Sequence, residues 1–93
     1  MRQCLKITVI GNVQGVGYRA FVQKEACKLS IEGCVENDGG SNVLIFACGL
    51  VTSLEKLIDK LYKGPKEAHV EHVEAEPFVS SKDFRGVFRV IGS

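Results

Sequence analysis

The sequence has few of the features that mark disordered, membrane-spanning or nucleic-acid-binding chains. Its 93 residues include only two prolines and no low-complexity run, and 45% of them are hydrophobic, which is typical of a folded globular protein. The net charge is +1 and the basic residues are spread along the chain, so no basic stripe for nucleic acid or an anionic membrane is predicted. The length supports one modest core, so we expect a single domain over residues 1–93, and the small size favours a monomer.

The chain also lacks a long apolar segment and a metal-binding motif. The N-terminal stretch MRQCLKITVIG contains no apolar run of signal-peptide or membrane-span length, from which we expect a cytoplasmic protein. The four cysteines, at positions 4, 27, 34 and 48, include no Cys-x-x-Cys pair, and the two histidines do not lie at zinc spacing from them. We therefore expect no metal site, and a reducing cytoplasm favours free thiols. We expect no other cofactor either.

Hydrophobic periodicity predicts two amphipathic helices. The first covers Tyr18 to Leu29, where apolar residues recur at helical spacing among charged ones. The second begins near Thr52, which is followed three residues later by Glu55 in a capping-box pattern, and it ends before Gly64 and Pro65.

Alternating or β-branched segments predict five strands. They are Cys4–Ile10, Cys34–Asn37, Val43–Cys48, His69–Glu76 and Phe84–Ile91. Residues 38–42 have the composition of a hairpin turn between the second and third strands. In the fourth strand the alternation slips between Val70 and Val73, which indicates an irregular start or a bulge, and the three-residue spacing of the histidines predicts that they face opposite sides.

The order β-α-β-β-α-β with one extra C-terminal strand predicts an α+β, ferredoxin-like fold. We expect a mostly antiparallel sheet with both helices on one face and the first strand between the third and fourth. The first two strands then run parallel, so Gly11 and Asn37 emerge at the same edge of the sheet. Cys4 and Cys48 are expected on neighbouring strands, where both a disulfide and two separate thiols fit the pattern.

The stretch GNVQGVGYRAF, residues 11–21, places three glycines between a strand and a helix. Gly15 and Gly17 have no Cβ, so backbone N–H groups can point into one concavity at a helix N-terminus. Arg19 has a planar fork that matches two phosphate oxygens. These residues predict a phosphate-like anion site, and the alternative is a tight strand-to-helix connection with a solvated arginine. The spacing fits neither the nucleotide P-loop nor Gly-x-Gly-x-x-Gly.

Two motifs carry a resemblance to a known family. GNVQGVGYR closely resembles the acylphosphatase pattern G-x-V-Q-G-V-x-[FY]-R, GCVEN resembles that family's G-x-V-x-N, and the elements follow the family order over nearly the whole chain. The resemblance implies a metal-free hydrolase that splits a small acyl phosphate into a carboxylate and inorganic phosphate. It implies that Arg19 binds the phosphoryl group and that Asn37 orients the attacking water. The backbone N–H groups implied to share the phosphoryl group with Arg19 belong to Gln14, Gly15, Val16, Gly17 and Tyr18.

Two positions depart from the family pattern. Asn12 stands where many members carry Lys or Arg, which removes a positive charge near the site, and Cys34 replaces an aromatic residue, for which we expect an effect on packing only. The other functions that fit such a fold are an RNA-binding or small-ligand domain and a phosphate sensor without turnover. RNA binding needs exposed aromatics on the two central strands, where the sequence offers only Phe46.

Overall fold

Five strands and two helices make up the computed structural model, which describes residues 1–80 and 83–92. The elements are β1 Arg2–Asn12, α1 Tyr18–Lys28, β2 Glu32–Asn37, β3 Val43–Leu50, α2 Val51–Lys63, β4 His69–Pro77 and β5 Phe88–Val90. The sheet order is β4-β1-β3-β2-β5, and every pairing is antiparallel except that of β2 with β5. The predicted ferredoxin-like α+β fold is therefore confirmed. None of the helices in the described part of the chain is long and apolar enough to cross a membrane.

The core lies between one face of the sheet and both helices. Strand alternation places Ile7 of β1 opposite Ile45 of β3, and Ile45 opposite Val35 of β2, and all three are fully buried. Both helices bury apolar residues in the same cluster, among them Val22 from α1 and Leu57 from α2. Full burial of each of these larger side chains contributes about 1.5–3 kcal/mol.

The start of α2 differs from the predicted capping box. The helix begins at Val51, after Leu50 in an extended conformation, and no side chain caps it. The Val51 amide instead donates to the carbonyl of Met1 at 3.0 Å. The N-terminus of the chain thus supplies an acceptor for one of the helix's first amides, and Thr52 lies one position inside the helix.

The predicted irregularity in the fourth strand is confirmed as a bulge. Ile10 pairs with His72 and Gly11 pairs with Val70, so Glu71 is an extra residue on β4. The extra residue brings His69 and His72 opposite Asn12 and Ile10, on the same face, so the predicted opposite orientation was wrong.

The bounds of the first and last strands differ from the predicted bounds. β1 continues past Ile10 to Asn12, because Gly11 permits the close approach of β4: a Cβ there would lie 2.2 Å from the carbonyl oxygen of His69. At the other end of the chain, β5 covers only residues 88–90 of the predicted 84–91. The amide of Val87 donates to the carbonyl of Phe84 at 3.0 Å and forms a turn before the strand begins.

Cys4 and Cys48 form a disulfide, so the expectation of free thiols is wrong for this pair. The two residues are direct partners in the β1–β3 register, with Cα atoms 4.1 Å apart and side chains on the face away from the helices. Cys27 and Cys34 are not in a disulfide. Cys34 lies opposite Phe46 on the same face as the disulfide, as expected, and it is buried.

Candidate active site

The loop between β1 and α1 places backbone amides at an open surface. Gly15 and Gly17 have φ values of 74° and 77°, a left-handed conformation that glycine adopts without strain. A Cβ at either position would meet nothing within 4 Å, so the space beside the loop is open. The first helical bond runs from the amide of Phe21 to the carbonyl of Gly17 at 3.0 Å, which leaves the preceding amides of α1 without acceptors inside the helix.

Arg19 extends from the first turn of α1 to the C-terminal segment. Its Nη1 atom donates to the carbonyl of Ile91 at 2.6 Å. Ile91 is in turn fixed to the sheet, because its amide donates to the carbonyl of Val35 at 2.8 Å. Gly92 passes close by, since a Cβ built on it would lie 3.2 Å from the same Nη1 atom. The guanidinium is thus oriented by the backbone that follows β5.

Asn37 and Arg19 lie on the same cleft although they belong to different elements. Asn37 is the last residue of β2, and its side chain is exposed where the hairpin turn begins. The cleft has a volume of about 210 Å³. Its lining consists of the loop, the first turn of α1, the end of β2 and the end of β5: Val13, Gly15, Gly17, Tyr18, Arg19, Ala20, Asn37 and Val90.

The remaining residues of the predicted phosphate loop do not line this cleft with their side chains. Gln14 directs its side chain to the 38–42 turn, where its Nε2 atom donates to the carbonyl of Asn42 at 2.8 Å. Val16 packs against the core. Tyr18 is 1% exposed, and its hydroxyl donates to the carbonyl of Leu61 at 2.8 Å, so only its backbone is available to a ligand. Burial raises the pKa of the Tyr18 hydroxyl well above its ordinary value.

Sequence reasoning missed the contacts made by Gln14 and Ile91. Gln14 was considered for its backbone amide alone, and the only local indication of another role is a side chain with two donors within a loop of glycines and valines. Ile91 lies 72 residues from Arg19, and no local pattern indicates such a contact.

The charges of the site suit an anion better than those of one larger depression on the protein. The first turn of α1 contains no acidic residue and carries Arg19. A depression of about 410 Å³ lies on the open face of the sheet, but it is bordered by the carboxylates of Glu74 and Glu76 beside a single lysine, Lys6. In residues 1–80 and 83–92, no group of three or more His, Cys, Asp or Glu residues could hold a metal ion.

Comparison with known proteins matches this chain to acylphosphatases. A family model described as Acylphosphatase matches residues 5–90. An acylphosphatase from Salinibacter ruber is 38% identical over 82 residues, which cover 88% of this chain and 85% of the relative. The solved structure of an acylphosphatase from Coxiella burnetii matches with a TM-score of 0.89 and 38% identity, over 97% of this chain and 93% of that one. The crystal structure of acylphosphatase from Bacillus subtilis matches with a TM-score of 0.90 and 30% identity, over 99% and 100% of the two chains.

Proposed function

The chain belongs to the acylphosphatase family and is an acylphosphatase, and we propose that it hydrolyses its acyl phosphate in the cleft between the 13–17 loop, Arg19 and Asn37. One observation carries the proposal. The guanidinium of Arg19 on α1 and the side-chain amide of Asn37 on β2 border the same cleft. They lie beside the first backbone amides of α1, which have no acceptor inside the helix.

The phosphoryl group is held by the loop amides and by Arg19. The amides are those of Gln14, Gly15, Val16, Gly17 and Tyr18. Amides at a helix N-terminus stabilise an anion through direct hydrogen bonds and through the partial positive charge of the helix end. A guanidinium carries five N–H donors in a planar fork, so Arg19 can donate to Ile91 and still belong to the phosphate site. The bond to Ile91 fixes the direction of the fork before substrate binds.

Asn37 orients the attacking water. Its side-chain oxygen can accept a hydrogen bond from water, but an amide is not a base, so the proton of the water passes to a phosphate oxygen. The phosphorus–oxygen bond to the acyl group breaks as the bond to water forms, and the products are a carboxylate and inorganic phosphate.

The chemistry needs no general acid and no metal. The leaving group is a carboxylate, whose conjugate acid has a pKa of about 4 by analogy with Asp and Glu, so it departs unprotonated at neutral pH. The transition state of phosphoryl transfer keeps negative charge on the equatorial oxygens. Fixed N–H donors and one guanidinium, placed before the reaction starts, stabilise that charge.

We also propose that residues 1–93 act as one domain and as a monomer, without nucleic acid, membrane or cofactor as a partner. A cytoplasmic location remains part of this proposal, although a disulfide such as Cys4–Cys48 is more common in oxidising compartments. Alkylation of thiols in intact cells, followed by mass spectrometry, tests the location. Labelling of the exposed free Cys27 by a membrane-permeant but not by a membrane-impermeant reagent supports the cytoplasm, and equal labelling by both contradicts it.

The site assignment is tested by two substitutions with separate signatures. We expect Arg19→Ala and Asn37→Ala each to lower kcat/KM for benzoyl phosphate on the order of 10²-fold while the protein stays folded. Arg19→Ala also weakens competitive inhibition by inorganic phosphate, whereas Asn37→Ala leaves it within about twofold, because Asn37 contacts water rather than phosphate.

Arg85→Ala is the matched control, since Arg85 is exposed on the turn before β5 and is absent from the cleft lining. Full activity in Arg19→Ala or Asn37→Ala would remove that residue from the proposed site. A loss in Arg85→Ala equal to that in Arg19→Ala would show that the effect is one of net charge.

A further inference from the structure

The side chain of Gln14 joins the phosphate loop to the turn that follows Asn37. Its Nε2 atom lies 2.8 Å from the carbonyl oxygen of Asn42 and 3.4 Å from that of Asp38, and it also donates to the carbonyl of Gly40. A side-chain amide has two N–H donors, so these three acceptors share them. The carbonyls of the turn therefore converge on one atom of the loop.

A second contact joins the same two segments. The Oδ1 atom of Asn42 accepts from the amide of Gly11 at 3.3 Å, which ties the end of the turn to β1 just before the loop. Within the turn, the amide of Asp38 donates to the carbonyl of Asn42 at 3.1 Å, and the amide of Gly40 donates to Oδ1 of Asp38 at 2.9 Å. The turn thus has its own bonds, but Gln14 and Asn42 determine where it lies relative to the loop.

The turn and the sheet together determine the position of Asn37. Asn37 is the exposed last residue of β2, where it pairs with Val43 of β3, and it directly precedes Asp38, the first residue of the turn. Residues 39–41 are exposed and two of them are glycines, which gives the turn little stability of its own. Without the bonds from Gln14, the turn can move and Asn37 can move with it.

We propose that Gln14 is a positioning residue for hydrolysis: its side chain holds the 38–42 turn, and through it Asn37, in register with the phosphate loop. The proposal rests on the proposed function, in which Asn37 orients water and the loop binds phosphate. A water displaced by about 1 Å from the line of attack lowers the rate of the chemical step by up to 10²-fold, whereas the loop amides that bind phosphate are unaffected. The effect therefore falls on kcat.

Two substitutions of Gln14 remove its hydrogen-bond donors while they keep the approximate size of the side chain, so they test the hydrogen bonds apart from packing. Gln14→Met keeps the length of the side chain and removes both donors. Gln14→Glu keeps the shape, but its carboxylate only accepts hydrogen bonds and is repelled by the turn carbonyls. We expect both to lower kcat for benzoyl phosphate by about 10-fold or more, with KM and the inhibition constant of inorganic phosphate within about twofold.

The pH dependence of kcat in Gln14→Glu is a further measurement, which depends on whether the side chain of residue 14 carries a hydrogen-bond donor. A protonated carboxyl group has one O–H donor, so the kcat of Gln14→Glu relative to wild type rises as the pH falls toward the carboxyl pKa of about 4.3. The corresponding ratio for Gln14→Met stays flat. Ser41→Ala is the control within the turn, because Ser41 is exposed at its tip, and we expect unchanged kcat.

Hydrogen exchange of the backbone amides in the 38–42 turn, measured on the same variants, reports whether residue 14 still holds the turn. The measurement needs no substrate. Faster exchange at residues 38–42 in Gln14→Met, together with the loss in kcat, supports the proposal. An unchanged kcat in Gln14→Met, or an equal rise in KM and in the phosphate inhibition constant, overturns it. A folded wild-type protein that hydrolyses no acyl phosphate would contradict the proposed function itself, and unchanged exchange would independently show that Gln14 does not fix the turn.

Discussion

Tyr18 belongs to the loop motif, but its side chain stabilises the fold rather than binding a ligand. Its ring packs against that of Phe21 with centroids 5.9 Å apart, and its hydroxyl donates to the carbonyl of Leu61. Leu61 lies in the last turn of α2, where carbonyls lack partners within the helix. The residue that begins α1 therefore also satisfies the end of α2, next to the loop that we assign to phosphate.

Removal of the Tyr18 hydroxyl is expected to destabilise the protein. Tyr18→Phe leaves a buried carbonyl without its donor, which costs about 1–3 kcal/mol of unfolding free energy. Tyr62→Phe is the matched control, because Tyr62 is 49% exposed and its hydroxyl lies 3.4 Å from the carbonyl of Val73. We expect a change within about 0.5 kcal/mol there. Urea denaturation of both variants measures the difference, and equal losses would contradict the assigned role of the Tyr18 bond.

The buried hydroxyl also predicts a loss of stability at alkaline pH. Because burial raises the pKa of Tyr18 in the folded state, the unfolded chain ionises first, at a pKa of about 10. The contribution is fully present below about pH 10 and falls by up to about 1.4 kcal/mol per pH unit above it. The unfolding free energy of wild type should therefore fall more steeply above pH 10 than that of Tyr18→Phe. Parallel curves would show that Tyr18 ionises normally.

At the scale of single residues, the sequence predicted the glycine loop, Arg19 and Asn37 as one candidate site, but it did not predict the contacts that hold these residues in place. Gly15, Gly17 and Arg19 could be proposed from local chemistry within the motif, whereas the role of Asn37 was implied by the family resemblance. The contact of Arg19 with Ile91 depends on how β5 pairs with β2, which is a property of the assembled sheet.

Among the elements, α2 is the clearest case of a helix start that tertiary structure decides. Its amphipathic face and its end near Gly64 follow from the sequence, and Leu54, Leu57 and Leu61 are buried as the spacing predicts. Its first residue is instead set by the carbonyl of Met1, which accepts from Val51. Capping patterns describe local bonds only, so they cannot predict a contact with a residue as distant in sequence as Met1.

A substitution at Thr52 separates the two accounts of this helix start. Because Thr52 is not the cap, we expect Thr52→Ala to change the unfolding free energy by less than about 0.5 kcal/mol, since alanine has the higher helix propensity. A capping-box threonine would lose about 1 kcal/mol. Leu57→Ala, which empties a fully buried site, is the positive control and should lose about 2–5 kcal/mol. Thermal or urea unfolding of the three proteins decides between them.

Over the whole molecule, the disulfide and the proposed active site lie at opposite ends of β1. Cys4 is near the start of the strand and Gly11 is near its end, about 23 Å apart at the rise of a strand. The sequence predicted the fold because its hydrophobic periods change from strand to helix in a clear order. It left the cysteine pairing open because pairing depends on both register and compartment.

Reduction of the disulfide should lower stability without changing turnover. The bond links residues 44 positions apart, and loop-closure entropy for such a loop corresponds to about 4 kcal/mol of stabilisation. We expect the reduced protein to lose about 2–4 kcal/mol of unfolding free energy and to keep its kcat where it remains folded. The oxidised protein should be lighter by two hydrogen atoms. An unchanged mass on reduction would contradict the presence of the disulfide. A selective loss of kcat would contradict the separation of stability from catalysis.

In the proposed mechanism, fixed N–H donors and one arginine suffice to hydrolyse an acyl phosphate without a metal. The most direct measurement compares hydrolysis of benzoyl phosphate with that of an alkyl phosphate monoester by the purified protein in the presence of a chelator. We predict turnover of the acyl phosphate alone, because an alkoxide leaving group needs a general acid that the proposed mechanism does not contain. No turnover of benzoyl phosphate under chelation, or comparable hydrolysis of the monoester, would contradict the account.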